Sequence, residues 1–206
     1  MAYTIIFDLG NVLVEVDKTK MARQLSLHSQ FSAEQIMAGF SNTKLTDEDL
    51  ALSTGKITPQ DFYEAKRAQF KLKGISFEEF KRIYGGVLTP VKEMIELVGR
   101  LKTAGHKIGL LSNTDPIHIE QLQINHPEVL PLFDFKVLSY EVKAAKPDTV
   151  IFQTALKASD SKPENTIYVD DLPEYVRAAS SIGIKGIHFN GLKKIILKFK
   201  SYGVAV

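Results

Sequence analysis

Five short apolar runs, separated by longer segments with helical periodicity, constrain the fold of this 206-residue chain more than any other feature. Runs of this length that are rich in Ile, Val, Leu and Phe are typical of strands buried on both faces of a parallel sheet. We predict strands over residues 3–7, 107–111, 135–138, 167–169 and 186–189. Because parallel strands need crossover connections, the alternation predicts an α/β fold, a doubly wound Rossmann-like sheet covered by helices.

Residues 16–87 interrupt this alternation. Ser32 and Thr58 each have the sequence context of a helix start, and Thr58 is followed by proline at the first helical position. No clear strand pattern accompanies them. About 70 helical residues between two neighbouring strands exceed a simple crossover, which needs about a dozen. We therefore predict an inserted helical cap over residues 16–87 and a core domain made of residues 1–15 and 88–206.

The composition is that of an ordinary globular protein, with 44% hydrophobic and 24% charged residues. A net charge of +2 is too small to indicate a nucleic-acid partner. No apolar stretch reaches the roughly 18 residues that a membrane span requires. The chain has no cysteine, which excludes thiolate metal sites and cysteine nucleophiles. We expect a cytoplasmic monomer without nucleic-acid or membrane partners.

Polar residues stand where several of the predicted strands end. In chain order they are Asp8, Ser112-Asn113, Lys146 and Asp170-Asp171. In open α/β sheets, ligands bind in the crevice outside the carboxyl ends of the strands. The pattern therefore predicts one polar crevice that holds a divalent metal ion and an anion.

The acids of this crevice have the chemistry of phosphoryl transfer. A carboxylate such as Asp8 is able to attack phosphorus and form an acyl phosphate that water then cleaves. Asp170 and Asp171 repel each other at a buried strand end unless a cation or hydrogen bonds compensate. Oxygen ligands of this kind are those that Mg²⁺ prefers. We predict Asp8 as the nucleophile and the acid pair as part of a Mg²⁺ site.

The remaining polar residues are donors for a phosphate. Ser112 and Asn113 offer a hydroxyl, an amide and backbone N–H groups, and Lys146 offers a point charge to both the phosphate and Asp8. The histidines have no metal-ligand spacing, so we interpret them as surface or packing residues: His28, His106, His118, His126 and His188.

These motifs together resemble the haloacid dehalogenase superfamily of phosphatases. Its four ordered signatures correspond to Phe7-Asp8-Leu9-Gly10, Ser112-Asn113, Lys146-Pro147 and Asp170-Asp171. Within the superfamily, the chain is similar to bacterial sugar-phosphate phosphatases that act on α-D-glucose 1-phosphate and to the N-terminal phosphatase domain of soluble epoxide hydrolases. The resemblance implies Mg²⁺ as the cofactor, a small phosphorylated metabolite as the substrate, and a cap that selects it.

The resemblance also implies a role for each residue of the metal site. Asp8 would be both nucleophile and metal ligand, and Gly10 would contribute its backbone carbonyl. Asp171 would ligate the metal directly, with Asp170 behind it, directly or through water. Ser112 and Asn113 would bind the phosphate.

One position departs from the usual pattern of the superfamily. Most of these phosphatases carry a second aspartate two residues after the nucleophile, where it protonates the leaving group, and here that position is Gly10. General acid–base help contributes typically about 10²–10⁴-fold to a rate. Glu15 and Asp17 are the candidates in the sequence for replacing it.

We expect a Mg²⁺-dependent phosphatase that hydrolyses small phosphate monoesters, with sugar phosphates as the finer expectation, through a covalent aspartyl phosphate. Two alternatives remain at this point. One is a metal-free haloacid dehalogenase, which would have little use for the Asp170-Asp171 pair. The other is a degenerate, non-catalytic member that binds a phosphorylated ligand or a protein, which only Gly10 supports.

Overall fold

A five-stranded parallel sheet forms the centre of the protein. The computed structural model describes residues 2–40 and 47–205. The strands in chain order are β1 (Thr4–Phe7), β2 (Val14–Val16), β3 (Leu88–Pro90), β4 (Lys107–Ser112), β5 (Phe135–Leu138), β6 (Thr166–Asp170) and β7 (Lys185–His188). The sheet order is β5-β4-β1-β6-β7, so the chain winds outward in both directions from β1. The predicted doubly wound α/β fold is confirmed.

Helices connect the strands. In chain order they are α1 (Lys18–Ser26), α2 (Ala33–Gly39), α3 (Asp47–Ser53), α4 (Pro59–Gln69), α5 (Phe77–Gly85), α6 (Lys92–Thr103), α7 (Pro116–Asn125), α8 (Ser139–Val142), α9 (Thr149–Ser159), α10 (Pro173–Ser181) and α11 (Leu192–Ser201). Short 3₁₀ turns occupy Leu130–Leu132 and Pro163–Asn165. The longest described helix, α6, has 12 residues, and none of the described helices has the length and apolarity of a membrane span.

The central strand β1 is buried on both faces because its alternate side chains enter two different apolar cores. Ile5 and Phe7 pack in the larger core, which includes residues of α6 and α11. Ile6 packs in the second core with Phe152 of α9 and other residues of α9 and α10. A continuous apolar run at β1 therefore reflects helices on both sides of the sheet, as the sequence predicts.

Between β2 and β3, the described part of the chain forms the five helices α1 to α5. Capping boxes begin two of them, at Ser32 and at Thr58, where the sequence predicts helix starts. The antiparallel pair of β2 and β3 joins the two ends of this helical segment, with Val14 opposite Pro90. Each of these strands has only three residues, which is too short to produce a visible alternation, and the sequence analysis did not predict them.

The helical segment contacts the core through α5 and α7. A Cβ atom added to Gly85 of α5 would lie 2.8 Å from the carbonyl oxygen of Ile117 in α7, so the two backbones need glycine at this contact. Lys81 of α5 pairs with Glu120 of α7 at 3.0 Å. These contacts join the helical segment to α7, the helix that follows β4.

Candidate active site

Three neighbouring strands bring the predicted site residues together. Asp8 follows β1, Ser112 ends β4 on one side of it, and Asp170 ends β6 on the other side. Lys146 lies in the loop between α8 and α9, which follows β5. The strands are parallel and nearly in register, so their polar ends meet at one edge of the sheet.

Lys146 joins the two buried acids of the site. Its Nζ atom donates to Asp8 Oδ1 and to Asp170 Oδ2, both at 2.7 Å. Burial lowers the pKa of Lys146, but the charges of the two carboxylates and their hydrogen bonds outweigh burial and raise the pKa above its ordinary value. The ammonium therefore remains charged and holds the two carboxylates on either side of it.

Asp8 lies in a strongly desolvated position. Burial raises its pKa to about 7; the Lys146 charge opposes this rise and the neighbouring Asp170 adds to it. One ammonium group thus does not fully compensate two adjacent buried carboxylates. A further positive charge at this point would favour the ionised form of Asp8, which is the form that acts as a nucleophile.

The two acids after β6 differ in their surroundings. Asp170 is fully buried; its Oδ2 accepts hydrogen bonds from Lys146 and the Tyr168 hydroxyl, and its Oδ1 accepts one from the N–H of Leu172. Asp171 is only partly buried and accepts a hydrogen bond from the Asn11 side chain at 3.3 Å. Burial raises the pKa of Asp171, and the charge of Asp170 raises it further. Of the two carboxylates, that of Asp171 is consequently the more accessible to a ligand from solvent.

The donor set fits a magnesium ion. Asp8, Asp170 and Asp171 each offer a carboxylate oxygen, and these three oxygens lie within 4.8 Å of one another. Hard oxygen ligands of this kind suit Mg²⁺, and a divalent cation would relieve the repulsion that raises the pKa values of Asp8 and Asp171. Gly10, whose carbonyl is the fourth predicted ligand, lies two residues after Asp8 and forms an isolated bridge with Val14.

The side chain of Asn113 makes two hydrogen bonds to the backbone of Lys146. Its side-chain amide donates to the carbonyl oxygen of Lys146 at 2.9 Å, and its Oδ1 accepts from the N–H of Lys146 at 2.8 Å. The side chain thus holds the backbone of the catalytic lysine candidate, a contact that the sequence analysis did not predict, and the role of Asn113 in phosphate binding stays a prediction. Ser112 is buried, at 3% exposure, and lines the same cavity as Asn113.

A cavity of about 170 Å³ lies between the strand ends and the helical segment. Its apolar lining includes residues from both parts of the chain: Leu9, Val16, Met21, Phe40, Tyr84, Val87 and Leu88. Its polar lining is made of Lys18, Asp49, Ser53, Ser112, Asn113, Thr114, Asp115 and His118, with the backbone of Gly10. The cavity therefore reaches from the phosphate-binding candidates into a chamber of mixed polarity.

The candidates for a replacement acid do not line this cavity. Asp17 caps α1, where its side chain accepts from the N–H groups of Thr19 and Lys20, and Glu15 is exposed on β2. His118, which the sequence analysis interpreted as a surface or packing residue, packs against Tyr84 and also lines the cavity. Asp115 before Pro116 carries the signal of a helix start, and this signal could have drawn attention to the histidine in the first turn of α7.

Comparisons with known proteins agree with the geometry. Residues 3–183 match the family of haloacid dehalogenase-like hydrolases. The chain is 34% identical over 134 residues to the sesquiterpene phosphatase astK of Aspergillus oryzae, covering 65% of this chain and 68% of the relative. It is 25% identical over 192 residues to the D-ribitol-5-phosphate phosphatase of Bacteroides thetaiotaomicron, covering 90% of each chain.

A similar fold occurs in a solved structure of a haloacid dehalogenase family enzyme from Bacteroides thetaiotaomicron, which is a complex with magnesium and inorganic phosphate. That structure superimposes with a TM-score of 0.80 at 24% identity and covers 92% of this chain and 95% of its own. With the family match spanning most of the sequence and the site residues gathered at the expected edge of the sheet, this chain belongs to the haloacid dehalogenase-like hydrolases.

Proposed function

We propose that the protein is a Mg²⁺-dependent phosphatase that hydrolyses small phosphate monoesters through an aspartyl phosphate on Asp8. The observation that carries this proposal is the position of Asp8. It lies against the ammonium of Lys146 and within a group of three carboxylates, and the two residues that follow it, Leu9 and Gly10, line the cavity. A nucleophile, a fixed positive charge and a set of oxygen ligands at one strand end are the components of phosphoryl transfer.

Each residue has a distinct part in the proposed reaction. One carboxylate oxygen of Asp8 attacks phosphorus, and the bond from phosphorus to the ester oxygen breaks so that the alcohol leaves. Lys146 holds the carboxylate in place and offsets the negative charge of the phosphate. Ser112 donates its hydroxyl to a phosphate oxygen, and Asn113 fixes Lys146 through its backbone. Mg²⁺ held by Asp8, Asp171, Asp170 and the Gly10 carbonyl would neutralise charge between the acids and the phosphate. Water then cleaves the acyl phosphate and releases Asp8.

We further propose that residues 16–87 act as a cap that chooses the substrate. The support is the cavity, which is lined by the phosphate-binding candidates and by residues of α1, α3 and α5, with Phe40 at the end of α2. A cap in this position would also exclude water from the reaction.

The substrate is proposed to be a small phosphorylated metabolite. A cavity of about 170 Å³ leaves room for a leaving group of only modest size. The mixture of apolar and hydrogen-bonding side chains fits a molecule with both carbon surface and hydroxyl groups, of which sugar and polyol phosphates are one class. The relatives named above act on substrates of very different polarity, so the leaving group has to be identified by measurement.

A metal-free dehalogenase is the less favoured reading of the same nucleophile. Its chemistry gives no role to three carboxylates whose oxygens lie within 4.8 Å of each other. A purely binding role is disfavoured because Asp8 and Lys146 are both present and in direct contact.

Hydrolysis of a panel of phosphorylated metabolites and of an aryl phosphate tests the proposal. We expect Mg²⁺-dependent release of inorganic phosphate that stops with a chelator and returns when Mg²⁺ is added in excess. Asp8→Asn is the matched control, since it keeps the size of the side chain and removes the nucleophile. Full activity in the chelator, or release of halide but no phosphate, would overturn the assignment.

A further inference from the structure

The proposed phosphatase lacks an acid at Gly10, and the cavity presents another group in that role. A Cβ atom at Gly10 would lie 3.7 Å from Val16 Cγ2, which is an ordinary contact, so steric conflict at the Cβ position is not the reason that glycine stands here. The same cavity is lined by Gly10 and by His118. A leaving group that occupies this cavity therefore has both the strand end and the imidazole in its surroundings.

His118 is held by a buried carboxylate. Asp115 is the N-cap of α7, and its Oδ1 accepts from the N–H groups of Ile117 and His118. Its Oδ2 lies 2.5 Å from His118 Nδ1 and accepts from the Tyr84 hydroxyl at 3.2 Å. Burial raises the pKa of Asp115, but the facing imidazole and these hydrogen bonds outweigh it and bring the pKa below its ordinary value.

The ionised carboxylate of Asp115 determines which nitrogen of the His118 ring donates a hydrogen bond to it. Because its carboxylate is an acceptor only, Nδ1 of His118 must be the donor in this contact. The second nitrogen, Nε2, has no hydrogen bond to the protein within the described residues, and the side chain is 19% exposed. The ring is also packed 4.6 Å from Tyr84. The histidine is thus oriented by two residues and keeps one nitrogen for a ligand.

Two other ionisable groups of the cavity, Asp49 and Tyr84, are engaged differently. Asp49 lies 3.9 Å from the buried ammonium of Lys66. The Tyr84 hydroxyl donates to Asp115, and burial together with that carboxylate raises the pKa of Tyr84 well above its ordinary value. His118 combines a ring nitrogen that has no hydrogen bond to the described part of the protein with a carboxylate that orients the ring, which is the arrangement of a general acid.

We propose that His118 is the general acid of the phosphatase reaction and protonates the leaving group. Oδ of Asp8 forms a bond to phosphorus, and the bond from phosphorus to the ester oxygen breaks. The proton on Nε2 of His118 passes to that oxygen, so that the alcohol leaves and the ring becomes neutral. His118 regains its proton from solvent before the next turnover. This inference rests on the proposed phosphatase function.

A series of phosphate monoesters with graded leaving groups, measured as kcat/KM at saturating Mg²⁺, tests the proposal. This parameter covers the steps up to departure of the alcohol. His118→Gln should lose about 10²–10³-fold on alkyl and polyol phosphates, whose alcohols need a proton to leave. It should change by less than about threefold on nitrophenyl phosphate, whose leaving group departs as an anion. Asp115→Asn should give the same pattern with a smaller loss.

His126→Gln is the matched control, because it makes the same substitution at the end of the same helix, outside the cavity, and should leave all rates unchanged. An equal loss on every ester would assign His118 to binding or folding and overturn the proposal, as would unchanged rates on alkyl phosphates. The dependence of the wild-type rate on leaving-group pKa gives a check without a variant. It should be shallow in the wild type and steep in His118→Gln, and a steep wild-type dependence would contradict the proposal. Failure of the phosphatase function itself would be seen separately, as absence of nitrophenyl phosphate hydrolysis by the wild type.

Discussion

Replacing Lys146 with methionine removes the positive charge between two buried carboxylates while keeping most of the side-chain volume. The ammonium makes hydrogen bonds of 2.7 Å to Asp8 and to Asp170, and both carboxylates are buried. Hydrogen bonds to charged groups contribute about 1.5–3 kcal/mol each, so two of them amount to about 3–6 kcal/mol. Breaking a buried ion pair by removing one partner costs about 3–5 kcal/mol, which lies within that range, so we expect a loss of about 3–5 kcal/mol.

This loss should be visible in thermal unfolding. For a chain of 206 residues, each kcal/mol shifts the midpoint by about 2–4 °C, so metal-free Lys146→Met should melt about 6–20 °C below the wild type. Added Mg²⁺ should narrow the difference, because it supplies positive charge to the same carboxylates. Lys143→Met is the control, since Lys143 is exposed and lies three residues earlier. A midpoint for metal-free Lys146→Met within about 2 °C of the wild type would refute the reasoning.

Two further predictions concern the metal site and the contact between α5 and α7. Asp171→Asn should raise the Mg²⁺ concentration needed for half-maximal activity and should change the melting temperature little. Asp170→Asn should lower the melting temperature, because it disturbs a fully buried, hydrogen-bonded carboxylate. Mg²⁺ titration of the activity and calorimetry separate the two variants, and equal effects of both would contradict the assignment. Gly85→Ala should destabilise the protein by about 1–3 kcal/mol in denaturant unfolding, because the new Cβ would lie 2.6 Å from Gln121 Cγ. Gly99→Ala, in open space on α6, should be neutral or stabilising by up to about 1 kcal/mol, and a similar loss in both variants would rule out the contact as the cause.

The sheet and its polar edge were predictable from sequence because they follow from local patterns. A run such as that of β1, buried on both faces, marks a central parallel strand, and parallel strands place their carboxyl ends together. Asp8, Ser112 and Asp170 consequently meet without any knowledge of side-chain contacts. Helix starts at Ser32 and Thr58 were predictable for the same reason, since capping depends on neighbouring residues.

The contacts that the sequence analysis missed join residues far apart in the chain. Asn113 holds the backbone of Lys146 across 33 positions, and Tyr84 donates to Asp115 across 31 positions between the helical segment and the core. No periodicity connects such residues, so their partners appear only when the fold is known. The same limit explains why the sequence did not distinguish His118 from the other histidines, since only the fold shows that it lines the cavity.

The central claim is that Asp8 carries the phosphoryl group during turnover. Rapid acid quenching of the Mg²⁺-loaded protein with substrate, followed by mass spectrometry of its peptides, measures this directly. We predict a transient phosphoryl group on the peptide that contains Asp8, absent in Asp8→Asn, and loss of turnover in that variant. Turnover by Asp8→Asn at the wild-type rate, with no phosphorylated peptide in either protein, would contradict the account.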